Sequence, residues 1–131
     1  MDTLLMEVNQ GCPRGFAFTI MQRICNPVNG EYSEVPVDLN EYNVLFQVKL
    51  SPFAGVAPII NKLITQTSDE VNVGRITNGI NGEFKVQLTG DDLRCLVPQD
   101  YNLLLYLEKD GIYTNLGADG KAYAIFRVCH Q

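Results

Sequence analysis

Asn78-Gly-Ile-Asn-Gly-Glu-Phe-Lys-Val-Gln-Leu-Thr89, then after a short polar step Leu96-Val-Pro-Gln-Asp-Tyr101 and Asn102-Leu-Leu-Leu-Tyr-Leu-Glu108, is the stretch that decides the fold. Phe84, Val86 and Leu88 alternate with Glu83, Lys85 and Gln87, a period of two that sends one row to a core and the other to water. Tyr101 to Leu107 is nearly all apolar, and periodicity alone fits a buried helix as well. Its length, Pro98 before it and Lys109-Asp110-Gly111 after it favour a central strand. Between the two, Gly90-Asp91-Asp92-Leu93-Arg94 predicts one helical turn capped by Thr89 or Asp91. Strand, corner, then a tyrosine entering the next strand predicts an all-β sandwich. Tyr101 follows Val97 by four residues, the spacing of a tyrosine corner whose hydroxyl ties back to the upstream backbone; a buried tyrosine with another partner is the alternative.

Working outward, Leu4, Met6 and Val8 alternate with Leu5, Glu7 and Asn9 in a first strand, which Gln10 to Gly15 breaks with two glycines and a proline. Phe16, Phe18 and Ile20 head a second strand that the pattern extends through Arg23 to Ile24. Asn26 to Glu31 contains Asn29-Gly30 and predicts a turn. Val44, Phe46 and Val48 face one way and Leu45, Gln47 and Lys49 the other, a core strand. Ser51 to Pro58 carries two prolines that would remove ladder donors, so it reads as a loop. Phe53, Val56 and Ala57 on that loop either tuck back onto their own domain, as most such residues do, or are candidate partner contacts, because loops on a rigid scaffold are where recognition is placed. Ile59, Ile60, Leu63 and Ile64 favour a strand over a helical turn. Val71, Val73 and Arg75 alternate with Asn72, Gly74 and Ile76 in a short strand of open register. Ile112 to Leu116 and Lys121 to Cys129 complete a closing meander through turns at Lys109-Asp110-Gly111 and Gly117-Ala118-Asp119-Gly120.

The sum is about eight or nine short strands, almost no helix and no repeat, in one domain spanning residues 1–131. At 131 residues, with 46% hydrophobic and 19% charged side chains, the chain is an ordinary globular one. Fifteen acidic residues against ten scattered basic ones give a net charge of −5, which argues against nucleic acid as partner. No run reaches the roughly 18 apolar residues of a membrane span. The opening Met1-Asp-Thr-Leu-Leu-Met-Glu7 lacks the n- and h-regions of a signal peptide, so a cytoplasmic site of synthesis is expected.

Cys12, Cys25, Cys95 and Cys129 show neither a C-x-x-C pair nor zinc spacing, and without a secretory signal free buried thiols are expected over disulfides. His130 adjoins Cys129, but neighbouring strand residues point to opposite faces, so a frayed tail is the better reading than a dyad. Asp91-Asp92 is a carboxylate pair whose ordinary use is capping at a helix N-terminus. With no nucleophile–base pair, phosphate loop or metal spacing, the expectation is a protein that is not an enzyme and needs no cofactor.

The segments Pro36-Val-Asp-Leu-Asn-Glu-Tyr-Asn-Val-Leu-Phe-Gln-Val-Lys49, Ile80 to Thr89 and Leu96 to Tyr101, with Gln10-Gly11 before them and a Gly120-started last strand, carry a resemblance. Together they resemble the immunoglobulin-like domain at the N-terminus of phage baseplate upper proteins and related head-fibre and tail adaptor proteins. In that family V-D-L-x-x-Y-x-V-x-F-Q-V and G-x-x-x-V-x-L-T…L-x-x-x-x-Y segments recur. The Ser51 to Ala57 loop is longer and more apolar than the family pattern, and a fibre or receptor-binding portion is not expected. The resemblance implies an immunoglobulin-like antiparallel β-sandwich. It further implies a bacteriophage virion structural protein, made in the host cytoplasm. It would be an adaptor, a capsid-decoration or head-fibre subunit, or a tail or baseplate component. Its implied partners are capsid, portal, tail or fibre subunits and further copies of itself.

The competing reading is a carbohydrate-binding sandwich. Tyr32, Tyr42, Tyr106, Tyr113 and Tyr123 could stack on sugars. The chain has no tryptophan, however, and most of these tyrosines fall within strands, where packing and edge coverage account for them.

Overall fold

The computed structural model of the chain describes residues 4–50, 55–94, 96–115 and 124–129. The described residues form strands β1 (Leu4–Asn9), β2 (Arg14–Thr19), β3 (Met21–Cys25), β4 (Tyr32–Pro36), β5 (Asn43–Lys49) and β6 (Ile60–Ile64). Then follow β7 (Gly74–Asn78), β8 (Glu83–Leu88), the helical turn α1 (Gly90–Arg94), β9 (Asp100–Lys109), β10 (Ile112–Asn115) and β11 (Ala124–Cys129). One sheet runs β1-β11-β9-β5-β6 with β10 also on β9, a second runs β2-β8-β7, and among the described residues β3 and β4 pair only with each other. The fold is an all-β sandwich.

Period-two patterning builds its core. Val44, Phe46 and Val48 of β5 are fully buried, and so are Val86 and Leu88 of β8, with Phe84 beside them. These rows meet Met6, Val8, Tyr101, Leu103, Phe126 and Val128 in one apolar cluster between the sheets. Each such aliphatic or phenyl side chain removed from water contributes about 1.5–3 kcal/mol before entropy is subtracted. Phe18 stacks on Phe84 with ring centroids 5.2 Å apart, tying β2 to β8. β9 is the central strand: β5 flanks one side, while β10 and β11 share the other.

Local chemistry sets the corners. Thr89 caps α1: Asp92 N–H donates to Thr89 Oγ1 at 3.1 Å, and Thr89 N–H donates back to Asp92 Oδ2 at 2.8 Å. This is the reciprocal capping box, and Leu93 plugs the turn into the core. Tyr101, 4% exposed, donates its hydroxyl to the Val97 carbonyl at 2.9 Å, so the corner before β9 is tied by its own tyrosine. Asp110 and Gly111 both take positive φ (53° and 81°), the pair a two-residue primed turn requires between β9 and β10.

Several elements depart from the sequence reading. The second strand is two strands in different sheets, because Ile20 breaks the ladder. Its N–H donates to Gly82 O and its carbonyl accepts from Val37 N–H. β4 is a strand the pattern did not announce, since Pro36 closes it and four of its five residues are exposed. In β6 the inward row is Ile60, Lys62 and Ile64, leaving Leu63 exposed. The Val71 and Val73 positions lie in a turn; β7 begins at Gly74, and Ile76 is its core residue. The closing strands are not a simple meander, since β11 pairs with β9 and, in parallel, with β1. Free thiols are present at Cys12, Cys25 and Cys129, but Cys25 is exposed and the other two half-buried. The Gly117–Gly120 turn, Cys95 and His130 lie outside the described residues.

Candidate functional site

Three features of the described surface could meet a partner: the contact loop, the β3–β4 ribbon and a groove on the outer face of the larger sheet. On the loop, Val56 is half-buried and Ala57 exposed, while Phe53 lies outside the described residues.

The ribbon leaves the sandwich as an arm. All of β3 is exposed, as are the β4 residues apart from the half-buried Val35. Met21, Ile24, Tyr32 and Val28 are 45%, 46%, 65% and 92% exposed, although such apolar side chains ordinarily seek cover. One face carries Met21 opposite Pro36, Arg23 opposite Glu34 and Cys25 opposite Tyr32; the other carries Ile24 and Val35. Arg23 places its guanidinium 5.4 Å from the centre of the Tyr32 ring. The tip is organised by its asparagines: Asn26 Oδ1 accepts from Val28 N–H, and Asn29 Oδ1 from Glu31 N–H, both at 2.9 Å. The root is Gly82, whose carbonyl takes the Ile20 N–H at 2.9 Å. A Cβ on Gly82 would stand 2.6 Å from Ile20 O and 2.9 Å from Val37 O, so only glycine lets the arm's two ends approach here.

The groove is built by strand register. The outward row of β5 (Leu45, Gln47, Lys49) lies between Asn61 of β6 and Tyr106 of β9, with Gln47 directly opposite Asn61 and Leu45 opposite Tyr106. Tyr113 of β10 sits diagonally from Tyr106, and the two rings meet edge to face with centroids 6.5 Å apart. Leu45, Gln47, Lys49, Asn61, Tyr106 and Tyr113 line an open groove of about 390 Å³. Gln47 Nε2 donates to Asn61 Oδ1 at 3.2 Å. Beside Tyr113, Glu108 accepts from Gly111 N–H and Asn43 Nδ2, which hold its carboxyl below the usual range. Sequence reasoning named the two tyrosines among five. It did not single out Gln47 and Asn61, whose only local signal is their place on the outward rows.

The remaining tyrosines are dispersed. Tyr32 is on the arm, Tyr42 is half-buried under the Lys109 ammonium at 5.6 Å, and Tyr123 lies outside the described residues.

The acidic pair is structural. Asp91 is bound to Arg94 at 3.0 Å, both exposed. Asp92 meets the Lys62 ammonium at 2.5 Å, and Lys62 is only 7% exposed. That ammonium also donates to Gln87 O and Asn72 O, so its three protons are all taken. Burial pushes the Asp92 carboxyl up, but the Lys62 bond and the Thr89 N–H outweigh it and leave the group below its ordinary value. Among the described residues no three His, Cys, Asp or Glu side chains cluster to hold a metal. Among them, too, no helix is long and apolar enough to cross a membrane. The sequence matches no protein-family model and no curated protein.

Proposed function

We propose that the chain is a bacteriophage virion structural protein working through protein–protein contacts, with the β3–β4 arm as its principal contact. It would serve as an adaptor, a capsid-decoration or head-fibre subunit, or a tail or baseplate component. The arm carries this reading. A two-stranded ribbon free in water is at best marginally stable, and this one exposes Met21, Ile24, Val28 and Tyr32. Laid on a neighbouring subunit by either face, Met21 with Tyr32 or Ile24 with Val35, the ribbon buries area and gains the cover that its own domain does not give it. The Arg23–Glu34 cross-strand pair would sit at the wet part of such a contact, adding register more than affinity. The Val56–Ala57 loop and Phe53 are the secondary contact. Neighbours are other virion proteins or further copies of the chain. The virion assignment itself is supported by the resemblance of the Pro36–Lys49 and Ile80–Tyr101 segments.

Gradient sedimentation of native lysate with mass spectrometry of the fractions tests it. The protein is expected with particles of virion size alongside capsid or tail proteins, and recovery only as a small soluble species refutes the proposal. In the same assay Tyr32→Asp with Ile24→Asp is expected to release the chain from particles while its circular dichroism is unchanged. Undiminished incorporation of a folded variant refutes the role of the arm.

A further inference from the structure

The outer groove has a chemistry that assembly through the arm does not use. We infer that the Tyr106–Tyr113 groove binds one pyranose unit of a neutral glycan, the tyrosines stacking on the sugar's C–H face and the Gln47–Asn61 pair reading two adjacent hydroxyls.

The argument begins with what the groove offers. Tyr113 is 53% exposed and Tyr106 meets it edge-on, so the pair holds a ring surface towards the groove instead of closing on itself. A flat, slightly negative aromatic face complements the polarised C–H bonds on one side of a pyranose. Across from it stand two amides. Their mutual bond uses one Gln47 N–H and one lone pair of the Asn61 carbonyl oxygen. Among the described residues no partner takes Gln47 Oε1 or Asn61 Nδ2. An acceptor and a donor are thus left side by side, the complement of two vicinal hydroxyls, each of which both gives and accepts. Because the amides fix each other's orientation across β5 and β6, little rotamer entropy is lost when a ligand engages them. The groove's volume of about 390 Å³, though open on one side, falls in the range of small-ligand clefts, about 300–1,000 Å³.

Charge selects among ligands with a flat apolar face. A nucleotide would also stack and pair with amides. The chain's net charge of −5 and the ionised Glu108 carboxylate opposite Tyr113 in the ladder oppose a phosphate beside the tyrosines; Lys49, the cation on the groove's lining, is 5% exposed and stands at the other end of β5, opposite Asn102. Sialic and uronic acids are disfavoured on the same ground. A neutral hexose or N-acetylhexosamine meets no such penalty. The inference is independent of the virion reading, since it concerns a different face of the molecule and is tested on the isolated chain.

The test is a titration of the ¹⁵N-labelled full chain with the methyl pyranosides of glucose, galactose, mannose and N-acetylglucosamine, and with sialic acid, followed by NMR. A one-sided open groove and a single sugar ring correspond to a Kd of about 1 mM. The side-chain NH₂ signals of Gln47 and Asn61 are expected to move with at least one neutral pyranoside and not with sialic acid. Tyr113→Ala and Asn61→Ala should each weaken binding about fivefold to tenfold, and Tyr32→Ala on the arm should leave it unchanged. No shift with any neutral pyranoside up to saturating sugar overturns the inference, and that is also the result a protein-docking role for this groove would give. Shifts that persist in both groove variants, or that appear with sialic acid alone, overturn it as well.

Discussion

Removing the Asp92 carboxylate is the sharpest test of how the two sheets are held together. Lys62 points inward from β6, 7% exposed, and its ammonium bridges to Asp92 on α1, to the carbonyl at the end of β8 and to the turn before β7. Asp92→Ala strands that cation with two carbonyls and no counter-charge. Breaking one side of a buried pair costs about 3–5 kcal/mol. Asp92 is 25% exposed, so water can partly fill the vacated space and the lower end applies, about 3 kcal/mol. Loss of the carboxylate acceptor for Thr89 N–H adds about 1 kcal/mol, the Thr89 Oγ1 half of the box being kept. For a domain whose whole stability is on the order of 5–15 kcal/mol, a loss of about 4 kcal/mol is large. It corresponds to a fall in Tm of about 16 °C, at roughly 4 °C per kcal/mol.

Urea unfolding followed by circular dichroism measures it, with the m-value expected unchanged. Combined with Lys62→Met the losses should fall short of additive by about 2 kcal/mol, since the second change removes the charge that the first one stranded. The pH dependence has a defined sign. Asp92's folded value is depressed, so its contribution is complete above the unfolded carboxylate value and is lost as pH falls through the folded one. Asp92→Asn should remove that part of the acid limb. A loss below about 1 kcal/mol for Asp92→Ala, additive with Lys62→Met, would refute the reasoning, because it would mean the ammonium is solvated.

Other outcomes follow from single contacts. Tyr101→Phe deletes the hydroxyl that satisfies Val97 O and should cost about 1 kcal/mol with the ring packing kept, read from the urea midpoint. Gly82→Ala forces a side chain into positive φ (70°) against two carbonyls. It should cost about 2 kcal/mol and speed amide exchange at Ile20 and Val37 ahead of β5; equal protection at both sites would count against the arm's root as described. Phe46→Ala, at the fully buried centre of β5, should cost about 3–5 kcal/mol in the same unfolding assay. Cys25 is an exposed thiol on the arm, so maleimide should label it in the free chain and label it far more slowly in particles; equal rates would place the arm outside the contact.

The local signals in the sequence were faithful where one physical cause acts alone. Phe84, Val86 and Leu88 alternate because one face of β8 is buried, and Val44, Phe46 and Val48 do so for the same reason on β5. The Thr89 cap, the Asp110-Gly111 turn and the Tyr101 spacing are each set by atoms a few residues apart. What stayed hidden was decided at a distance. Nothing near Ile20 says that its carbonyl will meet Val37 and its N–H Gly82, so the break that frees the arm is invisible in an unbroken apolar alternation. Lys62 reads as a surface residue until α1 brings a carboxylate to it. The groove draws Gln47, Asn61, Tyr106 and Tyr113 from four strands, and only the register of β5 against β6 and β9 places them together.

The parallel pairing of β1 with β11 has a mechanical meaning. The chain enters β1 at Leu4, opposite Ala124, and leaves β11 at Cys129, opposite Asn9. Entry and exit are thus at opposite ends of a shared six-pair ladder, about 17 Å apart at 3.3 Å per residue. Tension applied through the two ends drags the strands past each other along their length. Every rung resists at once, and none can be peeled singly as in an antiparallel hairpin pulled from its open end. A force-spectroscopy trace pulling through these ends should therefore show one high, narrow rupture, while pulling through sites on β9 and β10 should unzip that hairpin at much lower force. A domain wired in this way resists extension along the axis on which it is threaded.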